Sequence, residues 1–410
     1  MPSQPRAAFV FSQFPCYDEV FMLREMARLS SRLDLLIFSI RSARRDPIDH
    51  PETSLVAGRV RYAGLFFDFG VLLANIKTAL NRPARYLSAL REIWRMSRPD
   101  PDTILRSLAI FPQAVRFAEI CRRAGISAVH GQWATYPAAC ARVISHLNGI
   151  PFSFTGHAHD IYLKTSGLPY KLEQARFVIT CTGDNVRRLR EVHPGLDAEK
   201  VKVIHHGVDL ERFQPAGERA GGPFRILSVG SLFECKGFEY LIEACRLLQM
   251  EGFDCLCRIV GGGYLEKRLR AQAAQAGLSD RIEFTGYQSQ EKMPGHYRWA
   301  DLFVLPAVLR IHWGIPNVLI ESLACAVPVA CTPLPSLPEL LGEPPCGFLI
   351  PEKNPGAIAR LVGEMAADPE GRSIRGKRGR ERIKKLWDIE KTSDRIAELF
   401  GWRGKTGSWP

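Results

Sequence analysis

Short apolar runs, many of them β-branched, recur along this chain, each followed by a stretch whose apolar positions repeat at helical spacing. Residues 7–12, 34–40, 128–131, 152–156 and 177–182 read as strands in the first half, and 225–230, 255–260, 282–285, 302–305 and 327–330 in the second. Helical pattern follows them, as over 237–250 and 265–276. Runs that are apolar at nearly every position suit strands covered on both faces, so the alternation predicts an α/β chain with two doubly wound parallel sheets. A glycine- and proline-rich stretch over 213–223 reads as the linker and divides the chain into domains 1–215 and 216–410. The total of 410 residues suits two domains of about 200 residues each.

Residues 71–98 break this rhythm and read as two helices parted near Arg82-Pro83. On the second, Arg91, Arg95 and Arg98 recur on one side while Leu87, Leu90 and Trp94 fall on another. A basic amphipathic helix carrying an aromatic suits a membrane interface, and Phe66-Phe67-Asp68-Phe69 just before it reads as exposed; an ordinary surface helix shows the same pattern. The formal charge of +12 adds weight, because residues 1–205 hold 28 Lys+Arg against 18 Asp+Glu and residues 206–410 hold 27 against 25. A basic first half is compatible with anionic lipid, a phosphorylated substrate or nucleic acid. No apolar run approaches the roughly 18 residues that cross a bilayer. The apolar stretch after Arg6 is too short for a leader, so a cytoplasmic protein is expected, with peripheral attachment to the inner face of the membrane. The 11 cysteines stand singly without CxxC spacing, which fits free thiols better than disulfides or zinc.

Two common patterns fail. Gly261-Gly262-Gly263 follows a strand and opens a helix, but Glu266 stands where a dinucleotide fingerprint needs its last glycine. Asp100-Pro101-Asp102 imitates a metal-binding acid pair, yet it sits in a proline-rich turn after a helix and reads as a cap. Five segments hold. Gly230-Ser231-Leu232 and then Lys236-Gly237 follow a strand and open a helix, adding a full charge to amides that already attract anions. The run from Gly314 to Glu321 opens another helix with Pro316 and Asn317, so its first amides can cradle a diphosphate while Glu321 accepts hydroxyl hydrogen bonds. Thr155-Gly156-His157-Ala158-His159-Asp160 lies at a strand's carboxyl end, where doubly wound sheets bind ligands; its two histidines lack a third metal ligand. Val203-Ile204-His205-His206-Gly207-Val208-Asp209 ends the first half, and Phe14-Pro15-Cys16-Tyr17-Asp18-Glu19 follows its first strand. Taken singly, Lys236 also reads as a surface lysine and Glu321 as a half-buried helix acid.

In this order the segments resemble the two-domain, GT-B-fold, retaining glycosyltransferases of family 4, over essentially the whole chain. Residues 204–213 resemble the family's domain junction, 230–237 its phosphate loop, and 314–321 with 324–328 its glutamate motif. Phe14-Pro15 with Glu19 and Phe21, and 155–160, look most like transferases of bacterial exopolysaccharide synthesis, of colanic acid type. The resemblance implies two Rossmann-like domains facing across a cleft, the first for the acceptor and the second for a nucleotide sugar, with a last helix at about 388–402 crossing back. It assigns Lys236 to the donor diphosphate, Glu321 to the nucleotide ribose and His157 to the sugar beside the anomeric carbon, as the catalytic set. It places Gly230, Ser231, Gly262, Trp313, Asn317, Val318 and Leu319 on the donor, and Phe14, Pro15, Glu19, His157 and Asp160 on the acceptor side.

Three positions depart from the family's pattern. Trp313 stands where a glutamate is expected, Ser231 replaces an arginine, and Pro335-Ser336 replaces a glycine pair. An indole donates one hydrogen bond and accepts none, but offers a flat apolar face to a sugar. The expectation is a metal-independent retaining transferase with a UDP- or GDP-sugar as co-substrate and no cofactor. Its partners would be a saccharide or polyprenyl-diphosphate-linked acceptor and an anionic membrane surface, not nucleic acid. A non-catalytic nucleotide-binding relative and a sugar-nucleotide epimerase on a similar fold are the alternatives.

Overall fold

The computed structural model describes residues 4–16, 19–43, 50–64, 68–217, 221–308 and 314–403. Two all-parallel sheets account for its strands. The first contains β1 (Arg6–Gln13), β2 (Asp34–Arg41), β3 (Val60–Tyr62), β4 (Ala128–Gln132), β5 (Phe152–Gly156), β6 (Val178–Thr180) and β7 (Val201–Val203), in the order β3-β2-β1-β4-β5-β6-β7. The second contains β8 (Phe224–Val229), β9 (Cys255–Val260), β10 (Ile282–Phe284), β11 (Leu302–Leu305), β12 (Val329–Cys331) and β13 (Gly347–Leu349), in the order β10-β9-β8-β11-β12-β13. Both have the doubly wound arrangement that the strand and helix alternation predicts. In each, the winding reverses beside the first strand, between β1 and β4 and between β8 and β11. Loops leave on opposite faces there, which opens a crevice at the carboxyl edge.

Sequence pattern missed β3, β7 and β13. Each is three residues long and forms a sheet edge, so neither length nor two-sided burial marks it. The last predicted strand of the second half is shifted: 327–330 becomes Val329–Cys331, because Pro328 has no N–H for a ladder and uses only its carbonyl, which accepts from Phe303 N at 3.0 Å.

The first sheet is covered on one face by Phe38, Phe111, Phe117, Val143 and Phe154, with Phe38 stacked on Phe117 at 4.3 Å. Its other face buries Phe9, Phe11, Ile37 and Ile179 together with Ile396 and Ala397 of the final helix. That helix, Ile389–Leu399, is tied to the same body by Arg32, whose guanidinium meets Asp394 at 2.5 Å and Glu390 at 2.7 Å. Contacts divide the chain into one unit of Met1–Gly207 with Glu390–Pro410 and a second of Val208–Ile389. The glycine-rich stretch after Phe213 therefore lies inside the second unit. The helices at 71–98 are Phe69–Asn81 and Pro83–Arg95, and Asp100 caps the helix Pro101–Arg123 by accepting from Asp102 N and Thr103 N. The expected exposed run before them falls partly at Phe66 and Phe67, outside the described residues.

In the second unit, the loops after β8, β9 and β11 pack backbone against backbone. A Cβ on Gly261, at φ 131°, would lie 2.1 Å from the carbonyl oxygen of Gly230. One on Gly237, at φ 67°, would lie 2.0 Å from that of Pro306. Gly237→Ala should therefore cost roughly 3 kcal/mol, combining the left-handed backbone with a steric collision. Gly252, at φ 73°, faces open space, and Gly252→Ala should cost only about 1 kcal/mol. Urea unfolding of the two variants checks this; equal losses would show that the Gly237–Pro306 approach is not what holds these loops.

Candidate functional site

The carboxyl edge of the second sheet gathers the expected donor residues. Gly230 follows β8, and its N–H donates to Val260 O at 3.0 Å, closing the β8 loop onto β9. A 3₁₀ turn, Glu234–Lys236, then carries Lys236 back so that its methylene chain lies against Gly230, 3.4–3.5 Å from where a Cβ would stand. The Cys235 carbonyl accepts from Val308 N at 3.0 Å, which fastens this turn to the loop after β11. The Lys236 ammonium makes no hydrogen bond or ion pair among the described residues. Burial holds its pKa below the ordinary lysine value, with the neighbouring Cys235 and Cys331 opposing the shift. Ser231 is half-buried beside it, and the ring of Tyr287 covers Gly262.

Past β11, the helix Asn317–Ala324 starts on Pro316, without a side-chain cap. Asn317 and Val318 are half-buried at its first turn; Leu319 is buried, and its N–H already donates to Pro316 O at 3.0 Å. One turn on, Glu321 is buried and accepts from Tyr297 OH at 2.8 Å. Nothing in the sequence marked Tyr297, which approaches from the helix Met293–Trp299. Trp313 lies outside the described residues. A cavity of about 900 Å³ in this unit holds none of the expected donor residues; it opens beside Asp301 and Pro328, at the amino ends of β11 and β12, opposite the edge where such sheets bind ligands.

At the carboxyl edge of the first sheet, His157 follows β5 and heads the short helix Ala158–Tyr162. Its ring lies 4.3 Å from that of Trp133 and stacks on His206 at 5.3 Å, and its Nε2 is buried without a partner among the described residues. Burial first, then the proximity of His206 and His130, pushes its pKa well below the usual histidine value, so the ring is neutral. His206 is pulled down to about 4, again by burial before the charge of His205. Asp160 is fully buried; one oxygen accepts from Ala134 N at 2.7 Å and His157 N at 3.4 Å, while the other has no partner among the described residues. Burial raises its pKa to about 7 against the backbone hydrogen bonds that lower it. Lys171, buried with its Nζ donating to Ser166 O, is pulled down to about 8.

A cavity of about 520 Å³ joins Glu19, Arg41, Arg106, Trp133, Asp160 and Lys171. Phe14 lies beneath this edge rather than on it: it is buried against Phe11 at 4.6 Å, and its N–H donates to Ser39 Oγ at 2.8 Å. Pro15 is half-buried next to it. Trp133 and Lys171 carry no motif signal, and His206 lies in the 203–209 segment without a role assigned to it there. Trp133 does follow a predicted strand at the edge where ligands bind, and its φ of 101° is a conformation that side chains other than glycine's rarely adopt. His157, Cys181 and His206 bring one ligand atom each within 4.8 Å of one another, the one such group among the described residues. Two neutral imidazoles and a thiol have the composition of a soft-metal site, so these are the residues that could hold an ion.

Residues 71–212 match the Glycosyltransferase Family 4 model and residues 210–382 the model of glycosyl transferases group 1. A protein of Escherichia coli K12 named as a colanic acid biosynthesis glycosyltransferase, WcaL, is 34% identical over 211 residues, which are 50% of this chain and 52% of that one. The amylovoran biosynthesis glycosyltransferase AmsK of Erwinia amylovora is 34% identical over 172 residues, 41% of this chain and 42% of that one. The matched region thus spans about half the length of these relatives. In fold, the chain is similar to Anabaena HepE, solved in complex with UDP and glucose, at a TM-score of 0.69 and 16% identity over 97% of this chain and 99% of that one. That likeness speaks for the fold, the GT-B pair of Rossmann-like domains.

The buried Asp160 has a measurable signature. Between its unfolded value of 3.8 and its folded value of about 7, the folded chain keeps a proton that the unfolded chain has lost. Stability from this group is full below the lower value and is lost as pH rises, by at most about 1.4 kcal/mol per pH unit. Lys171 titrates above this window. Glu25, raised by burial to about 7, and His206, lowered to about 4, contribute in the same range. The signature is therefore the difference between the native and Asp160→Asn slopes in urea unfolding from pH 4 to 7; a slope unchanged from the native protein would mean that Asp160 is ionised throughout.

Proposed function

We propose that this chain, which carries a glycosyl transferases group 1 domain and a Glycosyltransferase Family 4 domain, transfers a sugar from a UDP- or GDP-sugar to a saccharide or polyprenyl-diphosphate-linked acceptor in exopolysaccharide synthesis. The transfer retains anomeric configuration and uses neither metal nor cofactor. The observation that carries this reading is Lys236: an ammonium without a partner among the described residues, partly desolvated, on a glycine turn at the switch point of a parallel sheet. As the glycosyl bond breaks, negative charge grows on the leaving diphosphate. A fixed cation aimed there lowers the barrier more than it strengthens ground-state binding. Asn317 and Val318, at an uncapped helix start on the neighbouring strand, supply further donors for the same phosphates. Glu321, oriented by Tyr297, accepts from the ribose hydroxyls.

The first unit supplies the acceptor side. Its cavity offers Glu19 and Asp160 to sugar hydroxyls and Arg41, Arg106 and Lys171 to the diphosphate of a lipid-linked acceptor. His157 serves the reacting sugar as a neutral ring, able to exchange hydrogen bonds with hydroxyls without bringing a charge of its own. The colanic acid and amylovoran names of the relatives support the polysaccharide context.

A thermal-shift panel of UDP-, GDP- and ADP-sugars selects the donor, since a ligand of the folded state raises apparent stability with its affinity. With that donor, Lys236→Ala should lower kcat by roughly 10²-fold, with a smaller rise in KM and an intact fold. An unimpaired Lys236→Ala enzyme would contradict the phosphate role. Donor binding without turnover by the native chain would favour the non-catalytic reading, and conversion of the donor without acceptor the epimerase.

A further inference from the structure

We propose that the outward face of the helix Phe69–Asn81 docks onto an anionic lipid bilayer. A helix lying on a soluble domain turns its apolar stripe inward. Here the stripe points out. Phe69, Leu72, Leu73, Ile76 and Leu80 are 77%, 52%, 52%, 48% and 77% exposed. At about 100° of rotation per residue these five fall within one arc of roughly 100°. The inward side is formed by smaller and more polar residues: Val71 and Ala74 are buried, and Asn75 and Thr78 are half-buried with their polar groups satisfied. Asn75 Nδ2 donates to Val71 O at 2.8 Å and Pro112 O at 3.0 Å, its Oδ1 accepts from Tyr86 OH at 3.1 Å, and Thr78 Oγ1 donates to Ala74 O at 2.7 Å. The helix is thus fixed in its orientation by its polar side, with its largest apolar side chains left in water.

Charge selects the occupant. From Phe69 to Pro99 the basic residues are Lys77, Arg82, Arg85, Arg91, Arg95 and Arg98, and the one acid is Glu92. Glu92 is buried, held by Arg142 Nε at 2.7 Å and Tyr170 OH at 2.9 Å, so it does not offset the surface charge. Beside the helix a cavity of about 160 Å³ is lined by Lys77, Asn81, Arg82 and Arg122, a setting for a lipid phosphate; the acid on its wall, Glu119, is taken by Arg116 and Arg123. An apolar stripe bordered by cations suits an anionic interface, where apolar side chains enter the headgroup boundary and each nearby basic residue adds attraction.

The structure relocates the contact that the sequence suggested. In the helix Pro83–Arg95, Ile93 and Ala89 are buried and the Arg98 guanidinium covers the Trp94 ring at 4.3 Å, so that helix adds charge and the exposed Leu87 beside the main apolar stripe. The proposal deepens the acceptor part of the function above and rests on it only for the reason such a surface would be needed: a polyprenyl-linked acceptor is reached in the plane of a membrane.

Flotation of the full chain with vesicles of one part phosphatidylglycerol to three parts phosphatidylcholine tests the surface without donor or acceptor. The native chain should float with these vesicles at low salt, release at high salt, and bind phosphatidylcholine vesicles at least about tenfold more weakly. Leu73→Glu with Ile76→Glu, both at exposed positions, should lower vesicle binding by about tenfold or more while leaving nucleotide binding and the melting temperature unchanged. No flotation at low salt, or a double variant that floats like the native chain, would overturn the proposal. So would a native dimer in sedimentation equilibrium that the double variant converts to a monomer, since the face would then belong to a second copy. Loss of vesicle binding leaves donor turnover to be judged separately, so failure here and failure of the transferase reading are distinguishable.

Discussion

The second unit is built around backbone approaches that tolerate no side chain. Gly261 meets the carbonyl of Gly230, and Gly237 meets that of Pro306. These two contacts draw the loops after β8, β9 and β11 onto one another at the point where the sheet changes winding direction. The consequence is electrostatic. Lys236 is carried in on the same turn and lies along Gly230, where it loses part of its hydration without gaining an anion among the described residues. A cation in that state is destabilised by its surroundings and gains most from a ligand that brings negative charge. The glycines thus fix the position of the charge on which the proposed diphosphate role rests.

The first unit uses burial in the opposite sense. His157, His206 and Asp160 are all held toward their uncharged forms by desolvation, and Trp133, in a backbone conformation with positive φ, packs at a tilt against the His157 ring. The cluster around His157, with neutral imidazoles and a carboxyl that titrates near neutrality, is suited to hydroxyl groups, which exchange hydrogen bonds in both directions, while Arg41, Arg106 and Lys171 bring cations to the adjoining cavity. One chain therefore presents two chemically distinct edges, cationic on the second sheet and polar but largely uncharged around His157 on the first.

Much of this was legible in the chain. The buried central strands are apolar at nearly every position, and the glycine turn with Lys236 and the start at Pro316 follow from spacing and helix-terminus physics. What was not legible has physical reasons. The edge strands β3, β7 and β13 are too short to show a period and are paired on one side only. Tyr297 reaches Glu321 from a separate helix, and His206 reaches His157 from the far end of the first half, so neither contact leaves a local trace. Periodicity reports that a helix has an apolar stripe but not which way the stripe faces. In the run from Phe69 to Leu80 it is packing that makes Val71, Ala74 and Thr78 the inward set. Asp100 shows the converse case, where local chemistry alone was enough to read a cap.

The central claim is that a nucleoside diphosphate sits where Lys236, Gly230 and the start of the helix Asn317–Ala324 converge. Amide hydrogen exchange of the full chain, with and without saturating UDP or GDP, tests it most directly. Binding should slow exchange in the segments around Gly230–Gly237 and Pro316–Glu321 and leave the cavity beside Asp301 and Pro328 unaffected. Protection at that cavity instead, or tight binding with no protection at either glycine turn or helix start, would contradict the account.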